Sequence, residues 1–146
     1  MLVPISVKMR FRILFQVALI LLLAGCGGTW VDDEGNFKRI FDFAKPEDVK
    51  VIHSYYWKSP HWTVEYRYYI ELEAPAKFAN NLTAPELMTP TAAGAIGEGA
   101  CLGSKPQWFL PKPAINYEAW TPKQVAGYRI FRDKNDGRLF VCDERL

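Results

Sequence analysis

Residues 51 to 72 read VIHSYYW (51–57), KSPH (58–61) and WTVEYRYYIEL (62–72). The two outer segments are β-branched and aromatic, and the quartet between them is turn-forming, a pattern that predicts paired strands. In the second segment Trp62, Val64, Tyr66, Tyr68, Ile70 and Leu72 alternate with Thr63, Glu65, Arg67, Tyr69, Glu71 and Glu73. Successive side chains on a strand point to opposite faces, so a period of two predicts one buried and one solvated face. A turn at Ser59-Pro60 would set Trp57 opposite Trp62, Tyr55 opposite Val64, His53 opposite Tyr66 and Val51 opposite Tyr68. All of these fall on the apolar face, and a slip of one residue would break that agreement.

Outward from this hairpin the signals are shorter. Phe37, Ile40, Phe41 and Ala44 recur at helical spacing until Pro46, and Ala76 to Leu82 follows Pro75 with Phe78 and Leu82 on one side. Thr83 to Pro106 loses all periodicity and is rich in Gly, Ala and Pro, which predicts a long mobile loop. Gln107–Leu110 and Ile115–Trp120 are short strands interrupted by Pro111 and Pro113, hence edge-like. Tyr128–Arg132 and Arg138–Cys142 flank Asp133-Lys134-Asn135-Asp136-Gly137, a hairpin turn with Gly137 at the left-handed position. The expected fold class is α+β. Its antiparallel sheet has about four to six strands built from hairpins, with two or three short helices on one face, in a single domain over 36–146.

The N-terminus has a different grammar. Lys8, Arg10 and Arg12 precede an apolar run from Ile13 to Leu23, broken only by Gln16, and the run ends in Leu23-Ala24-Gly25-Cys26. Eleven residues at about 1.5 Å each cover roughly half of a bilayer's hydrocarbon core, too little for a transmembrane helix. The segment resembles a bacterial lipoprotein signal peptide with a lipobox. The resemblance implies cleavage of residues 1–25, with Met1 or Met9 as the start, and a lipid (diacylglycerol and palmitate-type chains) on Cys26. That anchors the protein to a membrane rather than through it. Gly27, where an Asp would retain an inner-membrane lipoprotein, points to the periplasmic face of the outer membrane. Residues 26–35, acidic and turn-forming, are expected to be a lipidated tether.

Cleavage also changes the charge. Three of the 18 Lys and Arg leave with the signal, so the mature 121 residues carry 15 cations against 16 acids. No basic run remains, which argues against nucleic acid as a partner. The remaining cysteines, Cys101 and Cys142, form a pair that outside the cytoplasm is expected to be a disulfide enclosing 42 residues.

The catalytic and metal candidates each have a plainer reading. His53 and His61 differ in strand parity, and His53 is expected to be a core-rim residue beside Tyr66. Glu65, Glu71 and Glu73 share a face interrupted by Arg67 and are expected to be solvated. The Asp133–Gly137 run fails the calcium-loop pattern, since an EF-hand would need a ligand where Gly137 stands. No cofactor, metal or enzymatic activity is therefore expected.

Aromatic residues are what remains. The chain has five Trp, seven Tyr and nine Phe, and seven of these lie between Tyr55 and Tyr69. Tyr56 and Tyr69 are expected on the polar face, with Arg67. These three and Gly94, Gly97 and Gly99 of the long loop are the candidate partner-binding residues. The expected function is an outer-membrane-anchored lipoprotein acting by protein–protein contact in the envelope, of which an immunity or inhibitor lipoprotein is one form. The alternative is an envelope glycan or peptidoglycan-binding module using exposed aromatics.

Overall fold

A computed structural model of the chain describes residues 27–60, 65–96, 101, 104–124 and 128–146. The expected signal segment with Cys26, residues His61 to Val64, and Gly97 and Gly99 lie outside the described residues. Seven antiparallel strands form one sheet in the order β1-β2-β3-β7-β6-β5-β4. They are β1 (Gly28–Val31), β2 (Lys50–Lys58), β3 (Tyr66–Glu73), β4 (Met88–Ala92), β5 (Tyr117–Pro122), β6 (Arg129–Asp133) and β7 (Leu139–Arg145). Two short helices, α1 (Asn36–Phe41) and α2 (Ala76–Leu82), complete a mainly β fold with few helices, consistent with α+β.

The sheet exceeds the expected four to six strands because both edge strands come from segments without strand periodicity. Gly28–Val31 belongs to the expected tether, yet it pairs along β2, with Thr29 facing Trp57 and Trp30 facing Tyr56. Met88–Ala92 belongs to the expected mobile loop, yet it pairs with β5 in spite of Pro90, which an edge position tolerates. In both cases the neighbouring strand supplies the pairing, so little need be written in the edge strand itself. Gln107–Leu110 forms no strand. The Phe109 N–H instead closes a turn onto the Pro106 carbonyl at 3.0 Å, and the ring enters the core.

The central hairpin forms with a different register. Lys58 faces Tyr66, and the Ser59 N–H donates to the Glu65 carbonyl at 3.0 Å, so the connection is longer than the Lys58–His61 quartet. Trp57 faces Arg67, Tyr55 faces Tyr69 and His53 faces Glu71, and Val51 faces Leu72 rather than Tyr68. The irregularity between Val51 and His53 is a β-bulge, and it exchanges the two faces of β2 along its length. Tyr56 thereby joins Tyr68 and Ile70, and Tyr55 joins Tyr69.

Both faces of the sheet are covered, contrary to the half-buried strand expected. One core lies beneath the helices and contains Phe37, Val49, Tyr68, Ile70, Leu72 and Val141. Phe37 of α1 meets Phe41, Phe43 and Phe78 with ring centroids 4.7, 5.5 and 6.2 Å away. Helix α1 stops at Asp42, whose left-handed φ of 59° returns its N–H to the Lys38 carbonyl, well before Pro46. A second core on the opposite face gathers Tyr69, Phe109, Tyr117, Phe131 and Phe140 with Cys101 and Cys142. Ala93, Ile96, Trp108 and Leu110 pack against it. The segment expected to be mobile therefore contributes a layer to the fold. Cys101 and Cys142 are joined there, with a Cα separation of 6.2 Å.

The acidic turn after β1 is also structured. Asn36, fully buried, donates through Nδ2 to the Trp30 carbonyl and to Ser54 Oγ, each at 3.0 Å. Asp32, at φ 47°, accepts the Ser54 N–H at 2.8 Å. A buried amide without partners would cost about 1–3 kcal/mol, so these contacts hold β1 and α1 to β2 rather than leaving them as a leash.

Candidate interaction surface

A lateral row of residues crosses the helix-bearing face near one end of the sheet. The strand registers set Trp30 beside Tyr56, Tyr56 beside Tyr68, and Tyr68 beside Asp143. Trp30 and Tyr56 have ring centroids 5.9 Å apart, and Tyr56 and Tyr68 are nearly parallel at 6.3 Å. Tyr66, two residues before Tyr68 on the same face, stacks on it at 6.0 Å. Each end of the row carries a guanidinium. Arg39 of α1 stands 4.8 Å over the Trp30 ring and Arg145 stands 5.7 Å over Tyr66. Tyr68 is buried, whereas Trp30, Tyr56 and Tyr66 are half-buried.

The hydroxyls of this row are held protonated. Burial pushes the Tyr66 phenol up to about 12, helped by the hydrogen bond it donates to Asp143 Oδ2 at 2.7 Å. Burial raises Tyr68 well above the ordinary phenol range, and it raises Tyr56 as well. Such groups donate hydrogen bonds and stack, but at neutral pH they supply neither a base nor a nucleophile.

The opposite face holds charged pairs instead. Arg67 donates to Glu144 Oε1 at 2.7 Å and to Ser104 Oγ at 2.6 Å, clasping the second layer to the sheet. Glu71, expected in solvent, is buried and accepts from Arg138 Nη1 at 2.8 Å. Asp133 is buried at the β6–β7 turn. Burial pushes its carboxyl up, but the Lys112 ammonium and the Asn135 N–H outweigh this and hold it below the usual carboxylate range. Gly137 has the expected positive φ, 76°, and its N–H returns to the Asp133 carbonyl. On the helix-bearing side a cleft of about 330 Å³ opens beside this turn, lined by Ala76 and Ala79 of α2 with Glu118, Arg132, Lys134 and Asp136. Within it Arg132 pairs with Glu118 and Asp133 with Lys112, so opposite charges compensate one another.

The four expected partner-binding residues among the described ones do not converge. Tyr56 lies on the helix face, while Arg67 and Tyr69 lie on the other, and Tyr69 is completely buried. Gly94 sits in a 3₁₀ turn, Ala93–Ala95, against the second layer, and Gly97 and Gly99 lie outside the described residues. His53 faces Glu71 rather than Tyr66; it stacks on Trp108 at 5.3 Å with Nδ1 3.5 Å from Asp32 Oδ1. His61 lies outside the described residues. Among the described residues no cluster of three His, Cys, Asp or Glu is placed to hold a metal ion.

Sequence reasoning missed Trp30, Arg39 and Arg145 as members of one surface. The spacing of Tyr66 and Tyr68 was the only local signal. Trp30 required knowing that the acidic segment is a strand, and Tyr56 required the bulge. Comparison with known proteins adds no relative: no family model, curated protein or solved structure matches this chain.

Proposed function

We propose that this protein is a lipoprotein, acylated on Cys26 and held on the periplasmic face of the outer membrane, that acts by binding another envelope protein. The lipobox at residues 23–26 and Gly27 support the anchor. The observation that carries the binding reading is the arginine-capped row Arg39–Trp30–Tyr56–Tyr68–Tyr66–Arg145. Trp, Tyr and Arg are the residues that dominate protein–protein hot spots, and rings already locked by neighbours lose little entropy on docking. An immunity or inhibitor lipoprotein is one protein of this kind.

Glycan binding is the less favoured use of the same row. Sugars stack on open ring faces, and here one face of Trp30 and one of Tyr66 are already taken by guanidinium groups. Exposed arginines and ring edges suit a protein surface better.

A photo-crosslinking residue at position 39, expressed in cells, tests the reading. It should yield a protein adduct that disappears when Trp30 is changed to Ala. That truncation should weaken the purified complex by about 30-fold, the equivalent of ~2 kcal/mol. Adducts confined to glycan, or adducts indifferent to Trp30→Ala, overturn it. For the anchor, Cys26→Ser should accumulate unprocessed precursor that takes up no labelled fatty acid.

A further inference from the structure

From Gly27, the first described residue, the chain enters the folded domain with no slack. Gly27, bonded to Cys26, lies so close to the Ser59–Pro60 backbone that a β-carbon there would stand 2.3 Å from the Pro60 nitrogen. Only glycine permits that approach. Gly28 already pairs with Lys58 as the first residue of β1, and the Trp30 indole lies over it, 3.0 Å from where a β-carbon would be. Two residues of chain span at most about 7 Å, so a lipid carried on Cys26 would leave no longer leash than that before the sheet begins at Gly28.

That end has the chemistry of a bilayer interface. Its terminal lateral row is Gly28, Lys58, Tyr66 and Arg145, all in register and all on one face. Leu146, next to it, is 71% exposed. Cations that reach phosphate groups and amphipathic rings that sit at headgroup depth are what a membrane surface selects. The opposite end of the sheet carries the charged β6–β7 turn. It lies about 25 Å away along the eight residues of β3.

We propose that the domain sits directly on the membrane that holds Cys26, with Lys58, Tyr66 and Arg145 against the phospholipid headgroups and the β6–β7 turn pointing away. This deepens the anchored reading above and rests on acylation of Cys26. It also fixes where a partner meets the protein, because Trp30 and Tyr56 lie only two residue pairs further from the anchor. Lipid then occupies the Tyr66–Arg145 end of the aromatic row, which leaves Arg39, Trp30 and Tyr56 as the part of it that meets a protein.

Amine footprinting of the acylated protein in vesicles of phosphatidylethanolamine and phosphatidylglycerol tests the seat, with mass spectrometry reading both the acyl group and each lysine. A second protein carries ten Gly/Ser residues inserted between Cys26 and Gly27. This leash has a mean reach of about 18 Å, beyond the ~8 Å over which headgroup charge is felt at physiological salt. Lys58 should be protected in the natural chain and labelled in the inserted one, while Lys134 on the far turn is labelled equally in both. Equal labelling of Lys58 in the two acylated proteins overturns the seat and leaves the anchor standing. A mature chain without an acyl group on Cys26 overturns the anchor itself, and the seat with it.

Discussion

Truncating Phe109 to Ala should destabilise the protein as much as truncating a fully buried ring of the hairpin that dominates the sequence. Phe109 comes from a segment with no helix or strand, yet it is completely buried. Its ring meets Tyr69, Phe140, Trp108 and Phe131 with centroids 5.0, 5.7, 5.9 and 6.3 Å away. Removing a buried phenyl ring costs roughly 3–5 kcal/mol through lost transfer energy and the cavity left behind. For a folded chain of this length, ~4 kcal/mol lowers the melting temperature by about 16 °C. Phe109→Leu, which keeps most of the volume, should cost less than ~1.5 kcal/mol. Urea denaturation of the oxidised protein, followed by circular dichroism, measures each loss. Phe37→Ala, in the core beneath the helices, should cost a similar amount, and the double variant should be additive within about 0.5 kcal/mol, because the sheet separates the two sites. A loss below ~1 kcal/mol for Phe109→Ala would refute the second core. Strong non-additivity with Phe37 would refute its separation from the first.

Two further outcomes follow from the same contacts. Non-reducing peptide mapping should find Cys101 bonded to Cys142, and reduction should cost up to about 4 kcal/mol in chain entropy. Hydrogen exchange should then rise first in residues 104–116, the layer that the bond pins to the sheet. For pH, the Tyr66 phenol titrates higher folded, at about 12, than in an unfolded chain at 10.0. Its contribution is therefore fully present below pH 10 and lost as pH climbs from 10 to 12. Tyr66→Phe should flatten the fall in stability across that window and remove one late transition from the alkaline absorbance titration; an unchanged titration would contradict the Asp143 hydrogen bond.

The sequence by itself determined the elements whose information is local. Alternation from Tyr66 to Leu72 is a strand because the residue period matches the pleat. Asp133 to Gly137 is a turn because Gly137 alone accepts its φ at no cost, and Ala76 to Leu82 is a helix because its apolar residues share one side. The cysteine pair was legible from its count and from the compartment that the lipobox resemblance implies. The register of the central hairpin was decided by tertiary structure. A bulge after Val51 is written in no single residue, and it becomes favourable only when both faces of β3 have something to bury against. Tyr69, Arg67 and Glu71 look like a solvated face in the sequence; Ala93, Ile96, Cys101 and Trp108 to Leu110 gather against Tyr69 only across a long separation in the chain, with Cys101 joined to Cys142. The edge strands β1 and β4 are likewise strands by partnership, since the hydrogen bonds that define them belong to β2 and β5. The aromatic row inherits this dependence. Its tyrosines are spaced by β3 alone, but Trp30, Tyr56 and the two arginines reach them only after three separate segments have paired, a long-range outcome that short-range periodicity does not encode.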